Sequence, residues 1–421
     1  MSTSKIPSNK IPTNKKPEGE KPDGKTPSPH SHLAITYIRW RFTSAILHRG
    51  WWLVASLYLV VDAGLSPLQL VFLGTAQGIT VIAFEIPTGV IADNYGRKRS
   101  MVIAHVLMGT AMLLTGLVTS FPLLVLTQML WGLSWTFLSG ADVAWLADEL
   151  EPSENISKVL TNGARWGQIG AALGLIALGS LAWLTTLSVA MITAGILMLL
   201  VGIYVAISFR EINFVDSSGQ RLSAFSKTLN EGVRAARSDR TILVILLVTF
   251  LINGADEVFS RLFAKRLIEL ELPLYPDPIV WLSLLGLITL AAGAVALHAV
   301  ENRLNNDHSL KYHYLAACVL GAAGLLLFAL SPNYVFAMAG VIVVHGFAWN
   351  IARVISVIWI NARSTSSARA TIQSFLSQAE NLGEVTIGFT LALVAEFAGI
   401  PLALIGATCI VVVAIALIRK H

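Results

Sequence analysis

The stretch Glu85-Ile-Pro-Thr-Gly89-Val-Ile-Ala-Asp93-Asn-Tyr-Gly96-Arg97-Lys98-Arg99 decides how this chain reads. An apolar run leads into it and another follows it, each near the ~20 residues that cross a bilayer. A connection this short needs residues that tolerate sharp turning, which Gly89 and Gly96 supply. Asp93 can accept hydrogen bonds from a neighbouring helix N-terminus. Arg97, Lys98 and Arg99 can pair with acids or headgroups, and they anchor topology whatever the function.

Composition places that turn in a membrane. Hydrophobic residues are 55% of the 421 and charged ones 13%, about half the charge of a soluble domain. A soluble fold could not cover so much apolar surface, so the expected class is an all-α polytopic membrane protein. The net charge of +5 sits largely in the first 32 residues and in short loops, a topology signal and not a nucleic-acid one. Cys318 and Cys409 fall in apolar spans and read as small hydrophobes, without a disulfide framework. There is no metal-ligand spacing and no phosphate-cradling G-x-x-x-x-G-K-[ST] loop, so no metal, cofactor, ATP-driven step or enzyme activity is expected.

Residues 1–32 repeat Pro every fifth position (Pro7, Pro12, Pro17, Pro22, Pro27) among Lys, Gly and Ser. This composition predicts a disordered cytoplasmic tail, either merely solvated or touching anionic lipid. No cleavable signal peptide is expected.

Twelve spans are predicted, at 43–64, 68–91, 100–119, 121–146, 160–182, 185–208, 240–263, 278–300, 312–330, 332–359, 370–395 and 399–418. They form two six-helix halves, 33–209 and 240–421, joined by a charged cytoplasmic linker at 210–239. Lys and Arg favour the termini and even-numbered loops, which places both termini in the cytoplasm; Arg261, Lys265 and Arg266 are the exception. Two such halves suit a carrier with a midplane site between them. The second-half counterpart of the opening stretch, Glu301-Asn-Arg303-Leu-Asn-Asn-Asp307, lacks its glycines.

The opening stretch closely resembles the signature G-x-x-x-D-x-x-G-R-[RK]-[RK] between helices 2 and 3 of the major facilitator superfamily of secondary transporters. Three segments resemble its bacterial branch of tetracycline-type and multidrug efflux carriers: Glu85-Ile-Pro87-Thr-Gly89, Trp131 to Glu149, and Asn361 to Ser374. The resemblance covers most of 40–415 and implies the twelve-helix fold. It also implies a bacterial inner-membrane carrier, monomeric, that moves a small organic solute by alternating access with the proton gradient as energy source. Proton-coupled efflux of a drug-like or amphipathic compound is the leading expectation. Uptake of a nutrient or metabolite, and a non-transporting receptor, are the alternatives. By the same resemblance the signature is a conformational latch, in which Asp93 meets the start of helix 11 and the bases meet an acid ending helix 4, here Asp148 or Glu149. The chain departs from the family in two places. Gln128 stands where helix 4 carries an Arg, and the helix 5 antiporter pattern G-x-x-x-G-P-x-x-G-G is absent around Gly163, Gly167, Gly170 and Gly174.

Ionisable residues inside spans are costly and are site candidates by default. Gln128, Trp131, Trp135, Asp142 and Trp145 share one face of span 4. They would line a cavity for an amphipathic or cationic solute, or the tryptophans would pack against neighbours or sit in the headgroup belt. Asp142 would carry a proton or substrate, pair with Arg165, or face water. On span 7, Asn253, Glu257 and Arg261 align beside Asp256, and Glu257–Arg261 reads as a salt bridge near the outer end. His345, Trp349 and Arg353 share a face of span 10, and Arg353 is expected to pair with Glu380 or Glu384 of span 11. Glu85 and Asp62 are further acids. His48 and Arg49, at the start of span 1, are expected to snorkel to headgroups.

Overall fold

A computed structural model describes residues 29–150, 154–214, 239–301, 307–364 and 369–420. The first half holds α1 (Pro29–Val61), α2 (Pro67–Tyr95), α3 (Arg97–Leu117), α4 (Phe121–Glu149), α5 (Glu154–Leu184) and α6 (Leu187–Ser208). The second holds α7 (Arg240–Glu269), α8 (Pro278–Glu301), α9 (Asp307–Ala329), α10 (Tyr334–Arg363), α11 (Arg369–Gly383 continuing to Ala398) and α12 (Ile400–Lys420). All twelve are long and apolar enough to cross a bilayer. No strand occurs among the described residues.

Helix starts follow local chemistry. Ser66 accepts from Gln69 N while Gln69 returns the bond to Ser66 N, and Pro67 takes the first helical position of α2. Thr186, Asn333 and Asp239 cap α6, α10 and α7 with their side-chain oxygens. Three helices are interrupted. Gly140, at φ 75, splits α4 into Phe121–Leu138 and Ala141–Glu149. α10 widens to a π-helix over Ile342–Ala348, and α11 does so over Glu384–Gly388.

Every expected span exists, but several run further than predicted. α1 begins at Pro29 and not at 43, inside the expected tail, because its first turns carry their own buried face. Tyr37 and Trp40 are buried there, and Trp40 Nε1 donates to His105 Nε2 of α3 at 2.9 Å. The rest of the expected tail and most of the expected linker (1–28 and 215–238) lie outside the described residues.

Small residues bring backbones together within each half. α1 packs on α5 through Gly50, Gly170 and Gly174, and α3 on α6 through Gly109 and Gly195. α7 packs on α11 through Gly254 and Gly383, and α9 packs on α12. These pairings correspond between the halves, as do α2 with α4 and α8 with α10. The repeat that is faint in sequence is therefore plain in packing. Large apolar side chains such as Leu126, Ile203, Leu247 and Val413 remain exposed on the outside, as a lipid-facing surface requires.

The halves touch mainly near the end that carries the short loops. Lys265 Nζ donates to Leu65 O at 3.0 Å, and Leu68 N donates to Glu396 Oε2 at 3.0 Å. Phe72 meets Phe389 with ring centroids 6.2 Å apart, and Leu175 packs on Gly286. Away from that end the halves part around a cavity.

Candidate functional site

The cavity has a volume of about 1510 Å³ and is walled by α1, α5, α7, α8, α10 and α11, with Tyr314 from α9. Its charged lining is Arg49, Asp256, Glu257, Arg261, Arg353, Glu380 and Glu384, joined by His298 and His345. All but Arg49 come from the second half.

α7 runs on to Glu269, so Glu257 and Arg261 lie inside the bundle and not near its outer end. Arg261 Nε donates to Glu257 Oε1 at 2.8 Å, with the two side chains only 10% and 9% exposed. The pair also ties the halves together. Arg261 Nη2 donates to Gln77 Oε1 of α2 at 3.1 Å, and its guanidinium lies 4.8 Å from the Trp52 ring of α1. Gly74 of α2 offers bare backbone to the same pair, since a Cβ there would strike the Glu257 carboxylate and lie 2.7 Å from Arg261 Nε. Gly388, at the end of the α11 π-turn, gives the other face room: a Cβ there would sit 3.0 Å from Glu257 Cγ.

On α10, His345, Trp349 and Arg353 all line the cavity, even though the π-helix passes through His345. His345 Nε2 lies 3.0 Å from Asp256 Oδ1 and 3.1 Å from Ser260 Oγ, both on α7. Arg353 Nη2 is 4.0 Å from Glu380 Oε2, a loose pair with Arg353 77% exposed. Glu384 opens the α11 π-turn within electrostatic reach of Glu257, Arg261, Glu380 and Asp256. Glu85 of α2 accepts from Gln378 Nε2 of α11, a further bond between the halves.

The signature turn is built as a clasp. Arg97 pairs with Asp93 across the Gly96 turn and reaches Asp148 at the end of α4, Nε to Oδ2 3.9 Å. Glu149 holds a different segment, accepting from Ile212 N at 2.7 Å and Asn213 N at 2.8 Å just beyond α6. Glu211 of that segment accepts from Lys98 N at 3.0 Å, while Arg99 is exposed. Gly96 carries the turn at φ 108, and Gly89 faces open space. Residues 365–368, which lead into the start of α11 where Asp93 is expected to dock, lie outside the described residues.

Four expectations need correction. The stripe on α4 is not one face, because Gly140 breaks the helix between Trp135 and Asp142. Gln128 and Trp131 are buried and do not line the cavity; Trp131 follows the alternative and packs against neighbours, with Trp51 of α1 stacked on it at 4.1 Å and His48 5.3 Å from the same ring. Trp135 is exposed and lies 5.8 Å from His48, outside the cavity lining, and Trp145 is buried against Phe209. Asp142 accepts from Tyr37 Oη at 3.1 Å and feels the charge of Arg41, not Arg165, which is exposed and outside the cavity lining. Both partners belong to the unforeseen early turns of α1. For the same reason His48 and Arg49 sit midway along α1 instead of at its mouth, and Arg49 lines the cavity. The expected reading also missed Gln77 and Trp52. Trp52 at i+3 from Arg49 was a usable signal, whereas Gln77 had none.

Comparison with known proteins adds the wider context. The model of the Major Facilitator Superfamily matches residues 41–387. The Bacillus subtilis (strain 168) "Uncharacterized MFS-type transporter YxaM" is 22% identical over 204 residues, which are 48% of this chain. That match spans about half, 51%, of the relative's length. The crystal structure of the nucleoside transporter NupG superposes with a TM-score of 0.74 at 14% identity, covering 92% of this chain and 98% of that one. An inward-facing, unoccupied bacterial homolog of the human lysosomal transporter Spinster gives 0.71 at 14% identity, over 94% and 97%. A D-xylose-proton symporter gives 0.69 at 15%, over 92% and 98%. The matched span, the twelve helices and the cavity between two repeated halves agree: the chain belongs to the Major Facilitator Superfamily and is a multi-pass membrane protein.

Proposed function

We propose that this transporter exports a small amphipathic organic solute in exchange for protons, across a bacterial inner membrane with both termini in the cytoplasm. The carrying observation is the cavity between the halves, where Asp256, Glu257, Glu380 and Glu384 stand beside Arg261, Arg353 and His345. Acids poised against exchangeable bases suit proton coupling, because protonating one releases its partner. Trp52, Trp349 and Tyr314 in the same walls offer apolar contact for an organic body.

Alternating access needs a link between the proton site and closure of the halves. Glu257 and Arg261 would supply one, since Arg261 is held by Glu257 and itself holds Gln77 and Trp52 of the first half. A proton on Glu257 would free Arg261, loosening the short-loop end. The clasp of Arg97 with Asp93 and Asp148 would act at the other end. The outward direction rests on the resemblance of the signature turn and α4 to efflux carriers.

The test uses everted and right-side-out membrane vesicles with an imposed proton gradient, challenged with a panel of amphipathic compounds. Wild type should let specific compounds collapse the gradient in everted vesicles, and Glu257→Gln at matched abundance should not. Collapse confined to right-side-out vesicles would favour uptake by symport. No proton movement with any compound would overturn coupling.

A further inference from the structure

Arg49 carries a charge that nothing else in the described protein answers. α1 turns Arg49, Trp52 and Ser56 toward the cavity at spacings of three and four, one helical face. The other two arginines there have acids: Arg261 has Glu257 at 2.8 Å, and Arg353 has Glu380 at 4.0 Å. Asp256 is engaged by His345, and Glu384 lies beside the Glu257–Arg261 pair. Arg49 has no ion pair and no hydrogen bond from its side chain to any described residue. His48, its chain neighbour, is turned away against Trp131 and Trp135.

A guanidinium remains ionised at any physiological pH, and within a membrane it is costly until a counter-charge reaches it. The protein leaves this one bare, aimed into a water-accessible cavity midway along a spanning helix. Its planar fork of donors matches a carboxylate or a phosphate in two parallel hydrogen bonds. Arg353, loosely paired and 77% exposed, adds a second positive charge from the opposite half. Trp52, one turn from Arg49, lies where the apolar body attached to such a head group would rest.

We infer that Arg49 is the binding residue for an anionic head group, and that the solute is an organic carboxylate or phosphoester. This rests on the transport reading above and narrows its amphipathic solute to an organic anion. A cationic solute would have to sit against Arg49 and compete with arginines and histidine for each acid.

The experiment measures melting of the purified full chain in detergent with four compounds that share a phenyl ring: benzoate, phenyl phosphate, benzamide and benzylammonium. A ligand that binds only the folded protein raises the melting temperature with concentration. Benzoate or phenyl phosphate should stabilise wild type at millimolar concentration, whereas benzamide and benzylammonium should not. Whichever anion is preferred separates carboxylate from phosphoester recognition. Arg49→Gln should weaken that binding at least roughly tenfold, as truncating one member of a charge pair does. Arg49→Lys, which keeps the charge without the fork, should fall between them.

A second readout needs no variant. Phenylglyoxal modification of Arg49 in wild type, followed by mass spectrometry, should be slowed by the stabilising anion and unaffected by benzamide. The inference is overturned if neither anion stabilises the protein. Equal stabilisation by the amide or ammonium compound, full binding by Arg49→Gln, or modification of Arg49 unaltered by the anion would overturn it too. Binding that behaves as expected, with no movement of the bound anion across vesicles, would instead refute the transport reading and leave the anion site standing.

Discussion

The two halves repeat one helix arrangement but spend their polar residues in opposite ways. In the first half they close on one another: Trp40 on His105, Tyr37 on Asp142, Thr115 on Thr127, and Ser100 on the Phe137 carbonyl. Of its described charged residues only Arg49 lines the cavity. In the second half Asp256, Glu257, Arg261, His345, Arg353, Glu380 and Glu384 all face that space. A satisfied polar network makes a rigid wall. A set of charges open to water on one side can change partners and protons. Under the proposed function, the fixed frame and the clasp fall to the first half, and the titrating machinery to the second.

The largest expected effect breaks the second half at its centre. Glu257→Gln removes the carboxylate that orients Arg261 and leaves a guanidinium nearly buried between the halves. Breaking such a pair costs about 3–5 kcal/mol, much of it the unanswered charge. Melting of the purified protein should fall accordingly, and Glu257→Gln combined with Arg261→Gln should recover part of the loss. Additive losses in that cycle would mean the two residues do not act as a unit.

Next comes the frame of the first half. A side chain at Gly174 would collide with the Ile46 carbonyl of α1, which is backbone and cannot yield. Gly174→Leu should therefore cost about 3 kcal/mol, the upper end of overpacking. Gly74→Ala meets only the ends of Glu257 and Arg261, so its melting temperature should stay closer to wild type while transport drops. If Gly74→Ala melts as low as Gly174→Leu, the contrast between frame and moving part fails.

The clasp should give a smaller effect, kinetic in kind. Arg97 is partly exposed, and surface pairs contribute at most about 1 kcal/mol to stability. Arg97→Gln is expected to melt nearly like wild type yet slow transport about tenfold, because it loses Asp93 and Asp148 together. Normal transport by Arg97→Gln would reduce the turn to a topology anchor.

How far the sequence foretold this depends on whether a feature is local. The twelve spans and the signature turn rest on apolar length and glycine placement within a few residues, and they read directly. The face of His345, Trp349 and Arg353 read correctly because one π-turn shifts a helical face less than the width of that face. The α4 stripe did not, since a glycine in the left-handed region at position 140 ends the periodicity on which it relied. Arg49 was misplaced because Arg39 and Arg41 hide the amphipathic start of α1, and depth in a membrane is counted from a helix start. Gln77 was out of reach altogether, as its meaning lies in a residue 184 positions away.

The smallest expected effect lies where the second half meets the linker. Asp239 caps α7 by accepting from Thr241 N at 2.8 Å, and it pairs with Arg363 of α10, Nη1 to Oδ2 3.2 Å. Partial burial pushes its carboxyl up, but the hydrogen bonds from Thr241 N and Arg363, with the Arg363 charge, outweigh that and hold it below the ordinary aspartate value. A carboxyl depressed in the folded state contributes stability that is fully present above its unfolded pKa, roughly 3.9. That contribution is lost as pH falls from there through the lower folded value. Asp239→Asn keeps a capping oxygen but gives up the charge, so at neutral pH it should cost no more than about 1 kcal/mol. The gap between variant and wild type should close as the pH of a melting series drops below roughly 3.9. A gap that stays constant with pH would mean the side chain acts through its shape alone. In that case even the rim of the second half would be frame, and the division between the halves would run along the cavity wall instead of between the two repeats.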